Sequence, residues 1–201
     1  MSPDATPVGL PRTRLPDQQK FRAAVNAMLE AAGFDIDPVH LAHTAERVNE
    51  LWASRLLDGY DVQLESLLSS GFEDPRQDLV TVRDIAVHGM CPHHLVPWRG
   101  VAHVAYLPGG CLHGFGRIAR LVDALGHRLT YQEWFTRDVA EALVKHGQAR
   151  GAACVVETAQ LCLILGENRR GEERVVTTAF TGVLEHDAVA RSECLRALGQ
   201  P

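Results

Sequence analysis

The chain is organised around one stretch, Val87-His88-Gly89-Met90-Cys91-Pro92-His93-His94-Leu95-Val96-Pro97. Cys91 and His94 are separated by two residues, a spacing that lets one turn present a sulfur and a nitrogen to the same ion. Zinc accepts this mixture, and a site with three protein ligands and one open position is the catalytic type. The third ligand has to come from elsewhere in the chain. The alternative is a structural turn in which Cys91 is a small buried hydrophobe.

The composition is that of one globular domain, with 201 residues, 46% apolar and 22% charged. The net charge is −5, whereas proteins that bind nucleic acid are typically basic, so we expect no nucleic-acid partner. An anionic substrate would need a local basic pocket. No apolar run reaches the roughly 18 residues that span a bilayer, and we expect no membrane partner. Five cysteines without a CxxC pair fit a reducing compartment, which predicts a cytoplasmic protein.

Apolar periodicity divides the chain into a flexible tail (1–16), an N-terminal helical region (17–78) and a mixed region (79–201). The tail has no apolar segment of a signal peptide. The order of elements predicts an α+β fold with an antiparallel sheet, because no βαβ alternation is present. We expect helices at 17–32, from Asp37-Pro38 toward Gly59, at 64–68, 116–127, 130–146 and 187–198, a loop at 71–78, and strands at 79–87, 100–107, 152–165 and 174–184.

The predicted strand at 152–165 offers the missing ligand. Cys162 follows the polar residue Gln160 by two places, so both side chains point to one face of a strand. A cysteine within an apolar strand is, by itself, more often a core residue than a ligand. Only the combination of Cys91, His94 and Cys162 favours a metal site.

Five motifs along the chain belong together: Thr81-Val82-Arg83-Asp84-Ile85, Cys91-Pro92-His93-His94-Leu95-Val96-Pro97, Gly114-Phe115-Gly116-Arg117-Ile118-Ala119-Arg120, Gln132-Glu133 and Arg191-Ser192-Glu193-Cys194-Leu195. With these motifs the sequence resembles GTP cyclohydrolase I, a family of zinc enzymes that open the guanine imidazole ring of GTP and rebuild it as dihydroneopterin triphosphate. The resemblance covers about residues 79–198, and more loosely the helices before them.

The resemblance implies a Zn²⁺ site made by Cys91, His94 and Cys162, with a zinc-bound water as the nucleophile. His93 matches a histidine that works in acid–base chemistry beside the metal. Gln160 stands where the family has a second catalytic histidine. Glutamine cannot carry a proton at neutral pH, so one acid–base step has lost its agent.

The same resemblance implies a substrate site for a guanine nucleotide. Glu133, next to Gln132, matches the carboxylate that accepts from N1–H and the 2-amino group of guanine. The alternative for Glu133 is a capping box with Thr130 at a helix start. Arg117 and Arg120 open a helix after a glycine-rich turn and match the family's phosphate-binding segment. Their alternative is a solvated helix surface.

Three further positions depart from the family pattern. Gly166 replaces an arginine that helps to bind the triphosphate, Gly116 replaces a serine, and Pro92 replaces a glutamate near the metal. Arg169 and Arg170 follow Gly166 and either re-create a phosphate contact or are solvated. We therefore expect weak discrimination for three phosphates.

The leading hypothesis is zinc-dependent hydrolytic opening of the imidazole ring of GTP or a related guanine nucleotide, with a reaction that stops early at a formamidopyrimidine because of Gln160. The alternative is a catalytically silent member that binds a pterin or a partner. A weaker third reading is an enzyme of the same fold with Cys111 as nucleophile and His113 as base.

Fold and assembly are also implied by the resemblance. The family has the tunnelling fold, an α+β architecture in which four-stranded antiparallel sheets from several subunits join into a barrel. We expect a homo-oligomer, a decamer of two pentameric rings, with active sites between subunits. We therefore expect Glu133 and the zinc of one site to come from different chains.

Overall fold

The structure is a computed structural model and describes residues 9–166 and 173–199. Its long strands are β2 (Val80–Met90), β3 (Pro97–Pro108), β5 (Ala149–Gln160) and β6 (Val175–Gly182). They form one antiparallel sheet in the order β2-β3-β5-β6. The short strands β1 (Phe72–Glu73) and β4 (Cys111–Leu112) pair with each other in a separate two-stranded sheet. Strand β1 lies within the segment 71–78, which was predicted to be a loop.

Two long helices cover one face of the sheet. Helix α4 (Phe115–Gly126) packs against β2, and α5 (Gln132–Lys145) packs against β5 and β6. The apolar stripe of α5, made of Phe135, Val139 and Leu143, is fully buried. The predicted α+β class, with a four-stranded antiparallel sheet and packed helices, is confirmed.

A smaller apolar cluster lies on the opposite face of the sheet. There α7 (Val183–His186) and α8 (Ala188–Ala197) follow β6. Asp187 is the N-cap of α8, because its carboxylate accepts the backbone N–H groups of Val189 and Ala190 at 2.9 and 3.0 Å. The cluster consists of Ala105, Ala153, Val155, Leu184, Cys194 and Leu198.

The N-terminal region is helical, as predicted, but one boundary is wrong. Helix α1 (Gln18–Ala31) is followed by α2 (Thr44–Leu51), which does not begin at Asp37. The Asp37 carboxylate instead accepts the N–H groups of Val39 and His40 at 2.9 and 2.7 Å, a local turn that competes with a helix start. A π-helical turn (Trp52–Leu56), a 3₁₀ turn (Asp58–Asp61) and α3 (Leu64–Leu68) complete the region.

The segment before α1 contacts the body of the protein. Gly9 donates its N–H to the Asp138 carboxylate at 3.1 Å, and Leu10 donates its N–H to the carbonyl of Leu129 at 2.9 Å. The Tyr60 hydroxyl donates to the carbonyl of Leu10 at 2.5 Å. Residues 9 and 10 of the expected tail are therefore hydrogen-bonded, and residues 1–8 lie outside the described residues. The division into three regions stays a prediction.

Two predicted strands are too long at their C-terminal ends. The strand predicted at 152–165 ends at Gln160, whose backbone partner is Trp98 near the start of β3, so no partner strand continues beyond it. Residues Leu161–Ile164 form the short helix α6 instead. The strand predicted at 174–184 ends at Gly182, where a φ of 61° turns the chain into α7. Within the described residues, no helix is both long and apolar enough to cross a membrane.

Candidate metal centre and adjoining cavity

The turn between β2 and β3 is closed by two backbone hydrogen bonds. The N–H of Cys91 donates to the carbonyl of Val96 at 3.1 Å, and the N–H of Leu95 donates to the carbonyl of Cys91 at 2.9 Å. Leu95 has a φ of 51°, a left-handed conformation that is costly for a residue with a side chain. This tight loop fixes the backbone between Cys91 and His94.

The structure brings the three predicted metal ligands together. One ligand atom from each of Cys91, His94 and Cys162 lies within 4.8 Å of the other two. The Sγ atom of Cys91 and Nδ1 of His94 are 4.0 Å apart. Cys162 reaches this point from α6, immediately after β5, so its predicted place on a strand is wrong.

The donor set fits a soft divalent cation. Two sulfurs and one imidazole nitrogen suit zinc, whereas magnesium and calcium prefer oxygen. Burial raises the pKa of the Cys162 thiol, and the neighbouring Cys91 sulfur raises it further. A cation between the two sulfurs acts in the opposite direction, because a coordinating thiol is deprotonated. Three protein ligands leave one coordination position open for chemistry.

A cavity of about 270 Å³ is lined by two of the three ligands, Cys91 and Cys162. Its walls come from the metal turn, from the first turn of α5 and from the end of β5. The residues of its lining that sequence analysis selected are Cys91, His93, Gln132, Glu133, Gln160 and Cys162. Six of the predicted site residues therefore share one cavity. Glu133 lies in it with Cys91 and Cys162 of its own chain, so the expectation that Glu133 and the zinc come from different chains is wrong.

His93 is exposed on the metal turn and contacts a residue that sequence analysis missed. Nε2 of His93 lies 2.9 Å from the hydroxyl of Tyr131, and the two rings have centroids 4.8 Å apart. Tyr131 lines the same cavity. The available signal was its position directly before Gln132-Glu133, but spacing alone does not show that a residue 38 positions away lies opposite it.

Gln160 belongs to a network of hydrogen bonds centred on Gln132. The Gln160 amide donates to Oε1 of Gln132 at 2.7 Å and to the hydroxyl of Thr158 at 3.0 Å. Thr158 itself donates to Oε1 of Gln132 at 2.6 Å. The Gln132 amide nitrogen lies within 3.2 Å of the carbonyls of Val156 and Val175 and of the Thr177 hydroxyl. Gln132 thus links α5 to β5 and β6, and its substrate contact stays a prediction.

The capping-box alternative for Glu133 is wrong. Helix α5 begins at Gln132, and its N-cap, Tyr131, makes no side-chain capping bond. The Thr130 hydroxyl donates to the carbonyl of Tyr131 at 3.2 Å rather than accepting a helix N–H. Glu133 is exposed at the mouth of the cavity, where its carboxylate is available to a ligand.

The two predicted phosphate-binding arginines do not line the cavity of this chain. The Arg117 guanidinium donates to the carbonyl of Leu67 at 3.0 Å and to the hydroxyl of Ser70. Arg117 is half-buried and Arg120 is exposed, both on the first turns of α4. The phosphate-binding roles of the two arginines stay predictions. Within one chain, neither arginine shares the cavity that Cys91 and Cys162 line.

The departures from the family pattern have different surroundings. A Cβ atom at Gly116 would meet open space, whereas one at Gly166 would lie 3.1 Å from the carbonyl of Cys162. A larger residue at Gly166 therefore needs a small shift of α6. Arg169 and Arg170 lie outside the described residues.

The alternative with a cysteine nucleophile has little support in the geometry. Cys111 is buried in β4, and its sulfur lies 3.9 Å from the carbonyl of Leu112. Nε2 of His113, which is also buried, lies 2.8 Å from the carbonyl of Gly147 and donates to it. That nitrogen is therefore engaged with the backbone.

The fold and the site define an α+β protein with a Cys–His–Cys group that can hold a metal ion, beside a cavity that contains a carboxylate and two amides. A profile of the GTP cyclohydrolase I family matches residues 21–199. The chain belongs to the GTP cyclohydrolase I family, and its sheet and helices are those of the tunnelling fold expected for that family.

Curated relatives agree with this assignment. GTP cyclohydrolase 1 of Ralstonia nicotianae is 62% identical over 190 residues, covering 94% of this chain and 91% of the relative. GTP cyclohydrolase 1 of Chromobacterium violaceum is 61% identical, covering 94% of this chain and 92% of the relative. GTP cyclohydrolase 1 of Mycobacterium leprae is 38% identical, covering 92% and 91%.

Proposed function

We propose that this protein is a hydrolase that opens the imidazole ring of GTP, and that Cys91, His94 and Cys162 hold Zn²⁺. The observation that carries the proposal is the convergence of these three ligand atoms within 4.8 Å beside a cavity that also contains Glu133. The names of relatives at 62% and 61% identity support GTP as the substrate. When bound, Zn²⁺ supplies a Lewis acid that activates water near neutral pH.

The side chains around the cavity supply recognition and proton transfer. Glu133 accepts hydrogen bonds from N1–H and the 2-amino group of guanine, which a carboxylate does with both oxygens. His93, next in the chain to the ligand His94, delivers a proton to a nitrogen of the ring as water adds to the neighbouring ring carbon. This role requires a group that titrates near neutral pH, as an imidazole does.

A second subunit completes the nucleotide site in this proposal. The cavity of about 270 Å³ is smaller than the roughly 300–1,000 Å³ of sites that enclose a small ligand. Arg117 and Arg120 lie outside it, so the phosphates are bound by these residues from a neighbouring copy. The need for a neighbouring copy supports a homo-oligomer. From the family resemblance we propose that it is a decamer of two pentameric rings, and from the unpaired cysteines that it is located in the cytoplasm.

The surroundings of Gln160 support a reaction that is slow after ring opening. Its amide donates hydrogen bonds to Gln132 and Thr158, which hold it in place. An amide cannot act as a general acid or base at neutral pH. We propose that a formamidopyrimidine accumulates. Gly166 presents no cation to a phosphate, and we propose weak discrimination between GTP and GMP.

The test is incubation of the zinc-loaded protein with GTP, GMP and guanosine, followed by mass spectrometry and a formate assay. A mass gain of one water without formate supports ring opening that halts. Formate with pterin fluorescence supports the hydrolase and contradicts the halt. A preference for GTP over GMP of a hundredfold in kcat/KM, about 2.7 kcal/mol, contradicts weak phosphate discrimination. If no substrate changes, the hydrolase proposal is wrong and the silent member is favoured.

A further inference from the structure

Tyr131 makes a contact that joins the two halves of the cavity. Its hydroxyl lies 2.9 Å from Nε2 of His93, and the ring planes are tilted by 55° with centroids 4.8 Å apart. His93 belongs to the metal turn, and Tyr131 precedes Gln132 and Glu133 at the start of α5. The hydrogen bond therefore connects the metal side of the cavity to its base-recognition side.

The His93 ring has little other support. His93 is exposed, and its edge-on contact with the His94 ring has a centroid distance of 6.1 Å. Among the described residues, the contact with Tyr131 is the hydrogen bond found for the His93 ring. An exposed imidazole without a partner rotates among several rotamers on a time scale of picoseconds to nanoseconds.

Tyr131, by contrast, is held on a rigid element. Its ring packs edge-on against Trp134 with centroids 4.6 Å apart. Its carbonyl accepts the N–H of Phe135 at 2.9 Å, and Phe135 is fully buried. The following residue, Gln132, is bonded to both β5 and β6. The phenol thus presents its hydroxyl from a fixed position.

We propose that Tyr131 is a positioning residue for His93, whose ring its hydroxyl holds at a fixed place between the metal ligands and the Glu133 carboxylate. The inference rests on the proposed function, because it assigns Tyr131 to the proton-transfer step of that reaction. A group that is misplaced by about 1 Å can lose a hundredfold in rate, so orientation of this ring is expected to matter.

The central variant is Tyr131→Phe, which keeps the ring and removes the hydroxyl. We expect kcat to fall about tenfold, with KM changed less than twofold, because a positioning hydrogen bond acts on the chemical step rather than on substrate binding. The matched control is Tyr106→Phe. Tyr106 lies at the far end of β3, where its hydroxyl accepts the N–H of His113 at 3.0 Å. We expect Tyr106→Phe to lower thermal stability and leave kcat per folded molecule unchanged.

A double-mutant cycle separates positioning from a general structural effect. In a His93→Ala background, Tyr131→Phe should change kcat less than twofold, because no ring remains to be positioned. An equal tenfold loss in both backgrounds would overturn the proposal. The same conclusion would follow if Tyr131→Phe lowered bound zinc, since its effect would then pass through the metal.

A spectroscopic measurement decides the proposal without reference to activity. In the zinc-loaded protein labelled with ¹⁵N-histidine, solid-state NMR reports which ring nitrogen of His93 carries hydrogen, and the His93→Ala variant assigns the signals. We expect one tautomer in the parent protein and a mixture in Tyr131→Phe. Unchanged His93 signals would contradict the proposal. An inactive parent protein with these expected signals would reject the proposed function while retaining the positioning contact.

Discussion

Two buried polar residues of the same helix, Gln132 and Asp138 of α5, have opposite surroundings. They are 3% and 4% exposed, respectively. Both the oxygen and the nitrogen of the Gln132 amide are hydrogen-bonded, to Thr158 and Gln160 and to β5 and β6. Asp138 accepts one bond, from the N–H of Gly9, and its Oδ1 atom has no partner among the described residues.

The difference shows how one helix serves two purposes. A neutral amide offers donors and acceptors together, so it can be buried with both satisfied. A carboxylate offers only acceptors and loses hydration, and burial raises the pKa of Asp138 to about 7. The end of α5 beside the cavity is therefore fixed by neutral hydrogen bonds, whereas its contact with the N-terminal segment depends on pH.

The largest effect on activity is expected from Cys162→Ala. This variant removes one of the three proposed metal ligands and keeps both residues of the comparison, Gln132 and Asp138. Loss of one of three ligands should lower kcat/KM at least a thousandfold, about 4 kcal/mol at 1.36 per decade, together with bound zinc. Activity assays and metal analysis measure both. Cys194→Ala, in the apolar cluster on the other face of the sheet, is the control that should lose stability but retain zinc. Full zinc binding by Cys162→Ala would contradict the ligand assignment.

Asp138→Asn tests the charged half of the comparison. The folded carboxyl keeps its proton up to about pH 7, while the unfolded one loses it near 3.8, so the free energy of unfolding falls as pH rises between these values. The variant should equal the parent near pH 4 and exceed it at pH 8 by up to about 4 kcal/mol. Denaturant unfolding at both values measures this difference.

Glu30→Gln is the control for Asp138→Asn, because Glu30 is an exposed carboxylate near the end of α1. It should change the free energy of unfolding by less than about 0.5 kcal/mol at either pH. A stability gain of Asp138→Asn that is the same at pH 4 and pH 8 would show that its carboxyl is not the titrating group.

Gln132→Leu tests the neutral half. The leucine removes the Gln132 amide, which bonds the Thr158 hydroxyl, the Gln160 amide and the Val175 carbonyl. We expect the free energy of unfolding to fall by about 3 kcal/mol. Unlike the effect at Asp138, this loss should be equal at pH 4 and pH 8. Gln18→Leu, at the exposed start of α1, is the control and should change stability by less than about 0.5 kcal/mol. A pH-dependent loss in Gln132→Leu would remove the contrast between the two residues.

The smallest effect is expected from Gln160→His, which replaces a fixed amide with a group that can carry a proton. The ratio of formate to ring-opened product should rise about tenfold, equal to about 1.4 kcal/mol. Mass spectrometry with the formate assay measures this ratio. Gln160→Asn, which keeps an amide, should show no rise. An unchanged ratio in Gln160→His would show that Gln160 does not limit the later steps.

Local sequence determined much of the fold. The caps at Asp17 and Asp187, the stripe of α5 and the hairpin around the metal turn depend on residues within a few positions of one another. The predicted start at Asp37 failed for a local reason as well, since a side-chain turn competed with the helix. The C-terminal ends of the strands were harder to predict, because a strand ends where the strand hydrogen-bonded to it ends, and that strand lies far away in the sequence.

The sequence by itself determined which residues are suited to bind a metal, because sulfur and imidazole donors are chemical properties of Cys91, His94 and Cys162 that no packing changes. Only the tertiary structure decided that Cys162 lies on a helix and that Tyr131 faces His93. It also decided that Gly9 contacts Asp138, 129 positions away. Such contacts depend on how whole elements pack, and periodicity along the chain carries no record of that packing.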